Sequence, residues 1–140
     1  MKITICGSMS FAKEMLEARN LLEMKGHTCF LPEQVKEYAG GLVGKMGGSE
    51  GAQRKIEHDL IRKHYYLIQN SDAILVLNYK KGDTANYIGG NSFLEIGFAH
   101  VLGKRIFLLN PTPGIDLIKQ EIEAVQPIIL DGDLGRIELS

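Results

Sequence analysis

Tryptophan is absent from this 140-residue chain and cysteine occurs only twice. No apolar run approaches the ~20 residues that a membrane-spanning helix needs, so no membrane partner is expected. The opening Met1-Lys2-Ile3-Thr4-Ile5-Cys6 runs straight into Gly7-Ser8. That run is too short for the apolar region of a secretory leader. Cys6 and Cys29 both lie in strand-like runs, with neither metal nor disulfide spacing. They read as buried thiols of a cytoplasmic protein. There is no excess of one charge either, with 16 basic against 17 acidic residues and a net charge of −1. A nucleic-acid polymer as partner is thereby disfavoured, because such modules carry a basic surplus. What the chain does have is 44% hydrophobic and 24% charged residues, the proportions of a globular protein. Its length suits a single domain over residues 1–140, and no internal repeat or composition shift divides it.

Five short apolar runs punctuate the sequence: Ile3–Cys6, Thr28–Leu31, Ala73–Leu77, Ile106–Leu109 and Pro127–Leu130. Each is rich in β-branched residues or leucine and is closed by Gly, Pro, Asn or Asp, which predicts strands. The third and fourth are apolar throughout, the pattern of parallel strands covered on both faces. Helical spacing fills the gaps. Phe11, Met15, Ala18 and Leu22 mark a helix over 10–25 that Gly26 stops. Further helices are predicted over 53–70, over 91–102 with Gly103 as the stop, and over about 115–124. Strict alternation of strand and helix predicts an α/β, three-layer, flavodoxin-like fold. Its five-stranded parallel sheet takes the order 2-1-3-4-5.

Two connections are longer than packing requires, Glu33–Ala52 and Tyr79–Gly90, and both are rich in glycine. Loops of this length in a compact fold are commonly functional or mobile. In an open α/β sheet the ligand crevice lies beyond the carboxyl ends of the strands, where the winding reverses. For order 2-1-3-4-5 that point is between strands 1 and 3. The segments emerging there are Gly7-Ser8-Met9-Ser10 and Asn78 through Glu95.

Within the second segment, Gly89-Gly90 permit positive φ and close approach, and Asn91 is a good helix N-cap ahead of Ser92. Free N–H groups at such a helix start suit an anion or a sugar hydroxyl. Glu95 follows on a helix with few polar residues, where Gly97 and Ala99 allow close packing on the sheet. A carboxylate buried there is costly unless it is paired or used. Gly7, Ser8, Met9, Asn78, Gly89, Gly90, Asn91 and Ser92 are therefore the candidate ligand-binding residues.

Other patterns carry less. Gly47-Gly48-Ser49-Glu50-Gly51 matches G-x-S-x-G but follows no strand, as a nucleophile elbow must. Gly40-Gly41-Leu42-Val43-Gly44-Lys45-Met46 lacks the spacing and the hydroxyl residue of a phosphate-binding loop. His58 and His64 stand six apart with no third ligand, so no metal is expected, and no cofactor.

Taken together, Asn70-Ser71-Asp72-Ala73-Ile74-Leu75-Val76, Glu95-Ile96-Gly97-Phe98-Ala99 and Gly103-Lys104-Arg105-Ile106 resemble the nucleoside 2-deoxyribosyltransferase family. The resemblance runs from Ile3 to about Pro111. The opening Cys6-Gly7-Ser8 looks most like the family's 2'-deoxynucleoside 5'-phosphate N-hydrolase branch. It implies that Glu95 is a nucleophile that attacks C1' of the sugar and forms a covalent glycosyl-enzyme, resolved by water or by a second base. It also implies a small-molecule nucleoside or nucleotide as partner and assembly into a homo-oligomer, a dimer first. Where the family carries a catalytic aspartate, eight residues ahead of the aspartate of the Ser-Asp pair, this chain has His64. Imidazole changes charge near neutral pH and suits proton transfer to a departing base. Asp59, further up the same helix, is the other candidate for that role. Gly89 stands where the transferases have an acidic residue. Asp72, at the opposite end of strand 3, reads as structural. The alternative to an enzyme is a non-catalytic sensor of a nucleotide-derived ligand, with Glu95 gripping ribose hydroxyls. A redox flavoprotein fits poorly, since tryptophan and a Ser/Thr-rich phosphate loop are both missing.

Overall fold

A computed structural model describes residues 1–39, 56 and 59–138. Five parallel strands form one sheet in the order β2-β1-β3-β4-β5: β1 Lys2–Cys6, β2 Thr28–Phe30, β3 Ala73–Val76, β4 Arg105–Leu108 and β5 Ile128–Ile129. This is the predicted architecture, with strand ends moved by a residue or two. Helices among the described residues include α1 Ala12–Met24, α2 Val35–Ala39, α3 Leu60–Gln69, α4 Gly90–Val101 and α5 Lys119–Ala124. The helix predicted from Ser10 opens instead as a 3-10 turn, Met9–Phe11, capped by the Ser8 hydroxyl. The one predicted from Ile115 starts only at Lys119.

Alternation along the strands divides the interior into two cores. Ile3, Ile5, Ala73, Leu75 and Leu77 face Met15, Ala18 and Leu22 of α1. Cys6, Ile74 and Val76 face the other way, toward Ile68 of α3 and Ile96 and Ala99 of α4. Thr4, also on that second face, is buried but satisfied: its hydroxyl lies 2.6 Å from that of Ser71, which donates to the Leu67 carbonyl at 2.7 Å. At the amino end of the sheet the Asp72 carboxylate accepts from the Lys2 backbone amide at 2.7 Å, and this bond holds its carboxyl below the usual range. Asp72 is thus a clip between β1 and β3, as its position suggested.

At the other end, Cys6 pairs with Val76, so the chain leaves β1 and β3 side by side. Gly7 makes that exit possible. Its φ is +154°, and a Cβ there would stand 3.1 Å from the Met15 methyl and 3.2 Å from the Leu77 carbonyl. Two expectations about the thiols and helix packing are corrected. Cys29, on an edge strand, is only half-buried. Gly97 faces outward with open space around it, so Ala99 alone provides the close approach to the sheet. Leu94 and Val101 are likewise exposed.

Candidate active site

Glu95 lies in the second turn of α4 and is 2% exposed. Its placement follows from helix period: Ser92, Ile96 and Ala99 face inward with it, and Leu94 and Val101 outward. Its Oε1 accepts from the Asn91 side-chain amide at 3.1 Å, one turn earlier. Its Oε2 lies 3.7 Å from Nδ1 of His64, which α3 brings across from the neighbouring position. His64 is itself buried, and neither of its ring nitrogens nor Glu95 Oε2 has a hydrogen-bond partner among the described residues. The Cys6 thiol, at the carboxyl end of β1, completes the cluster. Burial and the nearby Glu95 carboxylate push its pKa well up, so it stays protonated. The thiol also lies 3.9 Å from the Thr4 carbonyl, a long contact.

The structure therefore brings Glu95, His64 and Asn91 together and does not bring Asp59 to them. Asp59 begins α3 with an exposed side chain in the left-handed region (φ 48°) and is paired with Arg62. The chain would have to shift by more than a turn to put it where His64 stands. The N-cap of α4 is Gly89 rather than Asn91, two residues earlier than predicted. That places Asn91 inside the first turn and frees its side chain for Glu95. It also means the donor that reaches Glu95 is this amide and not a backbone N–H. Gly89 has φ −83°, and Gly90 has no positive φ. A Cβ at Gly89 would sit 3.0 Å from the Tyr87 hydroxyl, a tight contact with the end of a side chain, whereas Gly90 has room. Ser92 is buried in the first turn of α4.

Around the β1 exit, Ser8 is half-buried and its hydroxyl accepts from the Ser10 amide at 3.2 Å. Met9 leans against the α1-side core. Asn78 is fully buried, and its side chain is committed elsewhere. The amide donates to the carbonyls of Asn110 (2.8 Å) and Pro111 (3.1 Å), and its oxygen accepts from the Asn110 backbone amide at 2.8 Å. Asn78 thus ties the ends of β3 and β4 together, and its side chain has no donor left for a ligand.

Sequence reasoning missed Lys81. The Tyr79–Gly90 connection is built, not slack: Lys81 and Thr84 exchange two backbone hydrogen bonds of 3.0 Å around Gly82-Asp83, with Gly82 at φ +59°. From this hairpin the Lys81 ammonium donates to the Ser8 hydroxyl at 3.0 Å and lies 4.9 Å from the centre of the Tyr87 ring. A Gly-Asp pair is a two-residue turn signal that was available in the sequence. The crevice is therefore acidic at Glu95 and cationic at its β1 rim. The glycine-rich residues 40–55 and His58 lie outside the described residues. Among the described residues no group of three or more His, Cys, Asp or Glu is placed to hold a metal ion. No described helix is long and apolar enough to cross a membrane.

No family model matches this chain, and no curated protein matches it. Among solved structures it is similar to the CMP N-glycosidase BcmB of Clostridium botulinum, at 15% identity and a TM-score of 0.50. That likeness covers 94% of this chain and 90% of the other. At that identity it is a likeness of fold.

Proposed function

We propose that this chain cleaves or exchanges the N-glycosidic bond of a (deoxy)nucleoside or its 5'-monophosphate through a covalent glycosyl-Glu95 intermediate. The observation that carries the reading is Glu95 itself: a buried carboxylate with one oxygen unpaired, facing an unpaired imidazole in the crevice where the winding reverses. The fold neighbour's action on CMP agrees with nucleotide N-glycosidic cleavage as chemistry that this architecture carries.

In the first step the Glu95 carboxylate attacks C1' of the sugar. The C1'–N bond breaks, its electron pair goes to the base, and His64 in its imidazolium form gives the base a proton. In the second step water attacks C1' while the neutral His64 imidazole takes its proton. The ester bond to Glu95 breaks and the carboxylate is restored. An acceptor base in place of water gives transfer. Asp59, exposed and paired with Arg62, is a poorer candidate for the proton than His64. Gly7, Ser8 and Met9, with Lys81, form the rim for the 5' end; Gly89, Gly90 and Ser92 border the sugar. Because Glu95 is shielded from water, substrate binding must displace a neighbouring side chain to reach it.

Two further parts of the reading concern setting. The free thiols suit a reducing cytoplasm. The exposed Ile61 and Tyr66 of α3 and Leu94 and Val101 of α4 suit a homodimer face, which light scattering would test. The function is tested by incubating the protein with deoxynucleosides, ribonucleosides and their 5'-monophosphates, with and without an acceptor base, and separating the products by liquid chromatography. Released base or exchanged nucleoside is the expected result. Thermal stabilisation by a nucleotide with no base released would replace the enzyme by a sensor.

A further inference from the structure

An asparagine directly after a glycine pair looks like a helix cap, yet Asn91 caps nothing here. Helix α4 begins at Gly90, its N-cap is Gly89, and the Asn91 side chain is directed at Glu95. The orientation of that amide is forced: only its NH2 group can donate to a carboxylate, and its oxygen would be repelled. We infer that Asn91 is a positioning residue for Glu95, anchoring Oε1 and so leaving Oε2, the oxygen that faces His64, as the atom that forms the bond to C1'. This rests on the function proposed above.

The physical case is one of asymmetry. A glutamate side chain has three torsions, and its two oxygens are chemically equivalent until something distinguishes them. Here Oε1 has a donor at 3.1 Å, whereas Oε2 has none among the described residues and looks across 3.7 Å to an imidazole. A fixed oxygen and a free one on the same carboxylate define which lone pair points into the crevice. An amide suits this task better than the alternatives. A lysine or arginine would form an ion pair and draw charge from the nucleophile, and an acid would repel it. Anchor and nucleophile are i and i+4 on one helix, so they keep their relation however the crevice walls move. Misplacing a reacting atom by an ångström can cost about a hundredfold in rate, which is the scale of effect an anchor of this kind controls.

The bland account is a helix-stabilising side-chain pair, and the experiment separates the two. Asn91→Ala and Asn91→Asp are compared with the unaltered protein in steady-state kinetics across pH, with circular dichroism to confirm folding. Asn91→Ala should lower kcat by about tenfold to a hundredfold and leave KM within about twofold. Asn91→Asp should be worse than Asn91→Ala at neutral pH and recover as pH falls, because the new carboxyl donates only once it is protonated. A merely structural role would not produce that crossing of profiles. A second readout needs no activity: the side-chain amide signals of Asn91 in a nitrogen–proton correlation spectrum should shift strongly in Glu95→Ala. If they do not shift, the anchor is wrong. If they shift but Asn91→Ala keeps the full kcat of an active enzyme, the positioning role is wrong. If they shift while the unaltered protein releases no base from any substrate, the anchor stands and the proposed reaction is what fails.

Discussion

Nδ1 of His64 stands 3.7 Å from Oε2 of Glu95, two buried atoms facing each other across a gap too long for a hydrogen bond. Buried polar atoms are ordinarily paired, and leaving one unpaired costs roughly 1–3 kcal/mol. Here two such atoms stand opposite one another on different helices. Each is available to a third group that enters between or beside them.

Replacing the Glu95 carboxylate by an amide removes the proposed nucleophile while nearly preserving shape. Glu95→Gln should therefore lower turnover by about a thousandfold or more, with an unchanged circular dichroism spectrum. Product formation in long incubations checks it. Retention of more than about a tenth of the rate would remove Glu95 as nucleophile.

If His64 moves the proton, His64→Ala should lose roughly 10²–10⁴ in kcat and flatten the pH profile. His64→Asp, which restores the residue that the resembled family carries there, should keep measurable activity with its pH limb displaced. Asp59→Asn should behave like the unaltered protein, since that carboxylate is exposed and paired with Arg62. Rates of the three variants across pH decide between the two residues.

Lys81 donates to the Ser8 hydroxyl at the rim of the crevice, where a 5'-phosphate would displace that hydroxyl as its partner. Lys81→Ala should raise KM for 5'-monophosphates by about tenfold, the worth of one charge-assisted hydrogen bond. It should leave KM for the matching nucleosides unchanged. Equal effects on both would exclude a phosphate contact.

The fold was legible because alternation of short apolar runs and helical periods leaves few topologies, and the strands found are those predicted. The carboxylate was legible too, since Glu95 is the sole acid on a helix with few polar residues. What local pattern could not give was the partner of each polar group. Asn91 is a residue type that favours a cap, but α4 is capped two residues earlier, at Gly89, which puts Asn91 inside the helix with its amide on Glu95. Asn78 sat in the right loop for a ligand contact, but its partners are Asn110 and Pro111, more than thirty residues away along the chain. Nothing in the sequence around Lys81 distinguishes it from a solvated loop cation, and it is the hairpin at Gly82 that aims it at Ser8.

Asn78 has both amide protons and its oxygen engaged in a fully buried bridge between the ends of β3 and β4. Asn78→Ala strands the Asn110 amide and two carbonyls, at roughly 1–3 kcal/mol for each group that stays unpaired. The urea midpoint should fall markedly. A variant of unchanged stability would show that this bridge is dispensable and reopen Asn78 as a ligand contact.

Burial lifts the Cys29 thiol from 9.0 to about 11. The folded protein thus keeps a proton that the unfolded chain has already released, so the unfolded state binds fewer protons above pH 9.0. Stability is then complete below the unfolded value and declines as pH rises, with the loss ending near the folded value of about 11. The Cys6 thiol is raised as well, by burial first and by Glu95 second, and adds to the same alkaline slope. Urea denaturation at a series of pH values across this window measures it. Cys29→Ala should start from a somewhat lower midpoint, through lost packing, but show a shallower decline with pH than the unaltered protein. Cys6→Ala should do the same from the other core. Parallel declines in all three proteins would mean that groups other than the thiols set the alkaline limit.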